Sequence, residues 1–280
     1  MKHAYLIIAH TEPELLHILI SCLDDVRNDI YLHVDKKANF SGNEFQTQKS
    51  NLFVLSERID ARWGDFSLVK VELLLFQKAH DNGPYAYYHL LSGVDLPLKS
   101  QDYIHNYCDA HQGTEFVGIA QNVSQRELNW RSQHWFLFAR DFKSNNLLIK
   151  VLRTLFARLQ SIVGYRRTSL LCIKKGAQWC SITDSLVAYI LENEKLIYKC
   201  FSHTYCPDEL FIQTLCWNSD FKEKLHSTSD EFEGCMRYIK WEDGKLLPII
   251  EDDICKIKAS TRWFARKFAI KDLHVIDSIV

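Results

Sequence analysis

HAYLIIAH, residues 3–10, is the stretch from which the rest of the chain is read. Its run Leu6-Ile7-Ile8-Ala9 reads as a buried strand, far too short for a signal-peptide core or a membrane span. Thr11-Glu12-Pro13 then starts a helix, with Thr11 as N-cap and Leu15, Leu16, Leu19, Ile20 and Leu23 forming an apolar stripe at helical spacing. DIYLHVDKK (29–37) gives a second buried strand ending at Asp35, and NLFVL (51–55) gives a third. SLVKVELLLFQKAH (67–80) is helical and YAYYHLLSG (85–93) strand-like. Strand, helix, strand, strand, helix, strand predicts an α/β fold with a mostly parallel sheet and covering helices. Ligands of such open sheets sit beyond the carboxyl ends of the strands. His10, Asp35 and Asp95 each follow an apolar run and fall at that edge, although each taken alone is an ordinary polar residue opening a loop.

Composition narrows the function classes. The 280 residues are 47% hydrophobic and 25% charged, enough for one large α/β domain or two small ones. A net charge of −1 offers no global attraction to nucleic acid. Nine cysteines, an odd count without CxxC or zinc spacing, read as reduced thiols of a cytoplasmic protein. Ten glycines and five prolines leave no segment that resembles a disordered linker.

The middle of the chain changes character. Nine Lys or Arg (140, 143, 150, 153, 158, 166, 167, 174 and 175) stand between positions 140 and 175 against one acid, Asp141. Within that stretch, LLIKVLRTLFARLQSIV (147–163) carries apolar residues at 148, 151, 152, 155, 159 and 162. Such a helix commonly packs its apolar face on its own domain and solvates its charges. The alternative is that it lies on an anionic membrane surface. After 176, GAQWCSIT leads into a helix from about Asp184, and a last helical region is expected to contain FARKF (264–268).

CPDELFIQTL (206–215) sets Asp208 and Glu209 before an apolar helical run. Carboxylates there can cap free backbone N–H groups, and an ionised carboxylate can equally serve as a general base. Walker, dinucleotide, HExxH and GxSxG signatures are absent from the sequence. His33 and Asp35 in LHVD could be metal ligands, but a lone HxD on an apolar strand is more often a satisfied polar pair. Asp-x-Asp, with which many nucleotide-sugar transferases hold a divalent ion, is also missing. Fixed cations would then have to stabilise a leaving diphosphate. KIKASTRWFARKFAIK (256–271) supplies six of them without an acid, and FARKF flanks Arg266-Lys267 with apolar residues as if the charges were held at a wall.

Taken in order, AYLIIAH, YLHVDKK, ARWGDFSLVKVELL, YYHLLSGVDLPLKS, GAQWCSIT, CPDEL, RYIKW and FARKF resemble the core-2/I-branching β-1,6-N-acetylglucosaminyltransferase family, glycosyltransferase family 14, which also contains peptide xylosyltransferases. The resemblance implies a GT-A-like Rossmann sheet in a single domain, with a nucleotide-sugar half (1–115) and an acceptor-binding, catalytic half (116–280). It further implies a UDP-sugar donor, inversion without a metal ion, and no cofactor. The family's catalytic base falls on Glu209, with Asp208 helping to cap and orient the helix start. Its diphosphate-binding lysine falls on Lys267, and a second basic residue falls nearest Lys245. Asp35 would read the uracil ring, with Ile8 and His10 lining the pocket, Trp63 bordering the nucleotide and Asp95 in the sugar-side loop. Glu127, Arg131 and Trp241 would meet the acceptor. A bacterial member of this kind would work in the cytoplasm on a surface glycan, with a glycan or lipid-linked glycan acceptor and peripheral contact with the inner membrane. Transfer of xylose or another UDP-sugar, or non-catalytic binding of a glycan or nucleotide, are the alternatives.

Overall fold

In the computed structural model, which describes residues 1–142, 144–167, 171–242 and 245–279, every residue of β1 (His3–Ala9) is buried. A strand buried on both faces needs cover on both. The chain supplies it with α1 (Pro13–Leu23), β2 (Asn28–Val34), β3 (Asn51–Val54), α2 (Ser67–Asn82) and β4 (Tyr87–Ser92). Next come β5 (Leu96–Pro97), α3 (Gln101–Ala110), α4 (Gln125–Gln133), α5 (Leu147–Ile162), β6 (Ser181–Thr183), α6 (Asp184–Glu192), α7 (Glu194–Phe201) and α8 (Phe211–Trp217). The last part adds α9 (Glu231–Gly234), β7 (Arg237–Ile239), β8 (Trp241–Glu242), β9 (Lys245–Leu246), α10 (Ile254–Ala259) and β10 (Phe264–Arg266). Among the described residues no helix is long and apolar enough to cross a membrane.

The main sheet has the order β3-β2-β1-β4-β6, parallel throughout except for β6, which runs antiparallel to β4. Side-chain alternation along β1 divides the core in two. Tyr5, Ile7 and Ala9 join Leu15, Leu16, Leu19, Ile20 and Leu23 of α1 on one face. Ala4, Leu6 and Ile8 join Val69, Val71, Leu73, Leu75 and Phe76 of α2 on the other. The α/β class expected from the strand and helix order is the one observed, and the leucine stripe of α1 is buried residue for residue.

Two local expectations fail. Thr11 does not cap α1: the N-cap position is Glu12, in the left-handed region at φ 56° and without a side-chain capping bond, with Pro13 opening the helix. Glu12 instead accepts the Ile270 N–H at 3.0 Å, tying the end of the chain to this corner. FARKF is not helical either. Phe264–Arg266 is a strand in a second sheet ordered β5-β10-β7, pairing parallel with Arg237–Ile239 and antiparallel with Leu96–Pro97. Arg237 of RYIKW is fully buried, donates to the carbonyls of Cys235 (2.7 Å) and Cys180 (2.8 Å), and lies over the Phe264 ring. This arginine joins the two sheets.

The helix at 147–162 forms, but the expectation that its apolar face packs on the domain is overturned. Only Ala157 and Gln160 are buried, while Leu148, Val151, Leu152, Leu155, Leu159 and Ile162 are exposed. Lys143 and residues 168–170 of the basic stretch lie outside the described residues.

Candidate active site

The strand order reverses at β1, because β2 and β3 lie on one side of it and β4 on the other. A crevice is expected where such strands end, and a cavity of about 540 Å³ lies there. Its walls come from the end of β1 (Ile8, His10), the end of β2 (Asp35, Lys37), the segment after β3 (Ala61, Arg62, Trp63) and the end of β4 (Ser92). Gly93 lets β4 end close against β1, since a Cβ there would come within 3.0 Å of the Ala9 methyl. Gln178, Trp179 and Arg266 close the far side, with Arg140 at the rim.

Asp35 is fixed by its surroundings. Its two oxygens accept the N–H groups of Lys37 at 2.8 Å and Ala61 at 3.1 Å, and the residue is 3% exposed. His33, two residues earlier, accepts the Ile59 N–H at 3.0 Å, so the HxD pair is a hydrogen-bonded part of this strand end. Three of the cavity's cations face one acid: Lys37, Arg62 and Arg140 lie 3.0, 3.1 and 2.8 Å from Asp60. Hydrogen bonds from Lys37 and Arg62 hold that carboxyl at about 2, below the usual range.

Arg266 differs. It lies over the Trp179 ring at 4.0 Å, its Nε is 3.5 Å from Asp95, and neither Nε nor Nη1 makes a hydrogen bond. Asp95 is buried, accepts the Ser92 N–H at 2.9 Å, and is pushed above the usual carboxylate range by burial, with Arg266 working against that. Lys267 is half-buried, and its carbonyl accepts the Ile249 N–H. It is not among the residues that line the cavity, and neither are Lys245 and Trp241, which sit on the exposed β8–β9 hairpin.

Glu209 belongs to a 3-10 turn, Pro207–Glu209, just ahead of α8. Its Oε2 accepts from Arg131 at 2.9 Å and lies 4.0 Å from the Lys175 ammonium. Glu127, one turn before Arg131 on α4, lies 3.7 Å from Arg131 and 3.6 Å from Lys175. Burial would depress the Arg131 guanidinium, but the charge of Glu209, its hydrogen bond and the nearby Cys206 and Asp208 together outweigh burial and raise it. Lys175 is held in place by its neighbour. The Gly176 N–H donates to the Glu209 carbonyl at 2.9 Å, and a Cβ on Gly176 would overlap the Gly118 carbonyl. Tyr205 connects carboxylate and cavity, with its ring under Arg131 at 5.5 Å and edge-on to Trp63 at 5.7 Å.

The structure therefore brings Ile8, His10, Asp35 and Trp63 to one cavity, and Glu127, Arg131 and Glu209 to one cluster beside it. The sequence reading gave no site role to Gln178, Trp179 or Lys175, and it set Arg266 among the cations at a wall while assigning the diphosphate to Lys267. All four fall inside or next to motifs it had singled out, GAQWCSIT and FARKF. Asp208 does not cap the helix start, where no side-chain capping bond forms. It is buried, its Oδ1 is without a hydrogen bond, and burial followed by the charge of Glu209 pushes it up to about 7. Glu72 of α2, also fully buried, is pushed up by burial and by Asp208, and accepts from Gln178 at 2.7 Å.

Among the described residues one group could bring three metal-type ligands together: His3, His89 and Cys108. The His3 and His89 nitrogens are already 3.0 Å apart in a hydrogen bond, and His89 meets the Ser181 hydroxyl at 2.7 Å. This group lies buried in the core, and none of its members lines the cavity.

The family model of the Core-2/I-branching enzyme matches residues 3–276. The chain is 24% identical over 277 residues to the xylosyltransferase sqv-6 of Caenorhabditis briggsae, which covers 89% of this chain and 32% of that protein. It is 25% identical over 201 residues to xylosyltransferase 1 of Rattus norvegicus, covering 68% and 22%. The chain thus spans a third or less of the length of these relatives. Mouse xyloside xylosyltransferase 1 superposes with a TM-score of 0.38 at 9% identity over 94% of this chain and 97% of that one, too little to carry an argument.

The raised Asp208 makes folding pH-dependent in a definite direction. The folded protein keeps a proton that the unfolded chain loses near 3.8, so stability falls as pH rises from there toward 7. Asp208→Asn removes that loss. Its melting temperature is expected to exceed the wild type's by roughly a few degrees at neutral pH and above, with the gain disappearing in acid, as thermal melts across pH would record.

Proposed function

The chain belongs to the Core-2/I-branching enzyme family, and from that premise we propose that it is an inverting, metal-independent glycosyltransferase using a UDP-sugar donor. The observation that carries the reading is the juxtaposition just described. A crevice at the strand ends holds a buried carboxylate and an arginine stacked on Trp179, and a second carboxylate fixed by two cations stands one aromatic ring away.

In this reading residues 1–115 bind the nucleotide, with the acceptor-only Asp35 carboxylate receiving the ring N–H of uracil. Ile8, His10 and Trp63 line the pocket, and Asp95 stands on the sugar side. Arg266, together with Lys267 and Lys245 from the same half of the chain, meets the diphosphate. Arg266 is the best placed of the three, because it lines the cavity and Lys267 and Lys245 do not. The acceptor hydroxyl, guided by Glu127, Arg131 and Trp241 in residues 116–280, attacks the anomeric carbon from the face opposite the diphosphate. The new carbon–oxygen bond forms as the bond to the diphosphate breaks. Glu209 takes the hydroxyl proton, and UDP leaves with the bonding electron pair. A direct displacement needs one base, and the fixed cations stabilise the charge that develops on the leaving group.

The donor sugar proposed is N-acetylglucosamine. A UDP-xylose donor is the second reading, favoured by the relatives named xylosyltransferases. The acceptor proposed is a glycan or lipid-linked glycan of a bacterial surface polysaccharide, used at the cytoplasmic face of the inner membrane.

Glu209→Gln should keep UDP binding by calorimetry and lose transfer by roughly 10²–10⁴-fold, the worth of a positioned base. Full activity would remove Glu209 from the mechanism. Transfer should be unaffected by a chelator, whereas a strict Mn²⁺ requirement would contradict the cation-only site. Arg266→Met is expected to weaken UDP binding and slow turnover together, and more severely than Lys267→Ala. The reverse ranking would return the diphosphate to Lys267.

A further inference from the structure

Helix α5 is attached to the protein by its polar side. Gln160 exchanges hydrogen bonds with the Trp135 backbone at 2.9 and 3.0 Å, Arg153 lies over the Phe142 ring at 4.2 Å, and Ser161 meets His134 at 2.9 Å. These contacts fix which face points out, and that face is aliphatic. Leu148, Val151, Leu152, Leu155, Leu159 and Ile162 are each 42–79% exposed, along a rod about 24 Å long. Soluble proteins rarely display so continuous an apolar strip unless something covers it. Exposed Arg158 borders the strip and exposed Arg166 stands beyond its end, and the sequence contains no acid between Asp141 and Asp184.

We propose that this face of α5 docks on an anionic lipid bilayer, the aliphatic strip entering the headgroup boundary and Arg158 and Arg166 meeting the lipid charges. An inward polar side, an outward aliphatic strip and basic flanks are the pattern of a helix lying in an interface. A second copy of the chain fits less well, since a two-fold contact through this strip would set the same cations against one another. The inference deepens the membrane-side part of the proposed function and rests on it for one consequence. A cavity of about 800 Å³ opens at the C-terminal end of α5, lined by Ser161, Tyr165 and Arg166 together with Glu127, Trp130 and His134. Docking would bring that cavity, and through Glu127 the Glu209 cluster, to the surface from which a lipid-linked glycan projects.

Vesicle flotation of the full chain tests the docking. The wild type should float with phosphatidylcholine vesicles containing about a third phosphatidylglycerol, and at least ~10-fold less with phosphatidylcholine alone or in high salt. Leu155→Asp/Leu159→Asp, shown by circular dichroism and thermal melting to be folded, should lose ~10-fold or more of that binding. Arg158→Glu/Arg166→Glu should lose the salt-sensitive part. Absence of flotation by the wild type, or equal flotation by the folded aspartate variant, would overturn the proposal. So would light scattering that shows a lipid-free dimer converted to monomer by the aspartates, with no vesicle binding. Calorimetry with UDP on the same proteins separates the two readings: loss of lipid binding with UDP binding intact concerns α5 alone, and failure of every protein to bind UDP concerns the crevice alone.

Discussion

Strands β2 and β3 extend the sheet on one side of β1, and β4 extends it on the other. The loops leaving β1 and β4 must therefore diverge, and no side chain of the sheet fills the gap between them. This reversal determines the rest of the molecule. It requires β1 to be apolar on both faces, which its seven buried residues satisfy, and it requires helices of opposite placement, which α1 and α2 provide. It also leaves a crevice into which the residues after each strand point by default. Ile8, His10, Asp35 and Trp63 are drawn from three separated stretches because the ends of neighbouring parallel strands share one edge.

The second sheet completes that crevice. β10 is clamped between β5 and β7 and carries Arg266 to the wall, where the guanidinium lies on Trp179 beside buried Asp95. Charge in this region is graded. Lys37, Arg62 and Arg140 are compensated by partly exposed Asp60, while Arg266 lies between Trp179 and buried Asp95 and still lines the crevice. Preorganised donors of this kind cost little reorganisation when negative charge develops in front of them. Across Tyr205, the opposite polarity is arranged around Glu209, whose orientation is set by Arg131 and Lys175. Buried Asp208 and Glu72 lie behind this cluster as carboxyls that burial keeps protonated more readily than usual.

Much of this was legible in the sequence, and what was not has a physical cause. Apolar spacing reported the α1 stripe and the sheet strands correctly because burial on a fixed face leaves a fixed period. It could not report the cap of α1, where Pro13 at the first turn and a left-handed Glu12 displaced Thr11. Spacing also showed that residues 147–162 have an apolar side without showing which way it turns. The anchors that decide this, Trp135 and Phe142, lie outside the helix. FARKF was misread as helical because a three-residue strand inside a basic run has no period of its own. The strand ends at Arg266, which lines the cavity, and Lys267, just beyond it, does not. Lys175 and Trp179 escaped notice because their partners are remote in sequence, Glu127 and Glu209 for the first and Arg266 for the second.

The central claim is that one crevice holds the nucleotide with its uracil on Asp35 and its diphosphate on the guanidinium of Arg266, leaving Glu209 to face the acceptor side. A crystal structure of the chain with UDP tests it most directly. The account predicts the uracil N–H within hydrogen-bonding distance of Asp35, phosphate oxygens on the Arg266 guanidinium, and the Glu209 carboxylate opening toward the same crevice. UDP bound elsewhere, or bound there with its diphosphate away from Arg266 and Glu209 turned out of the crevice, would contradict it.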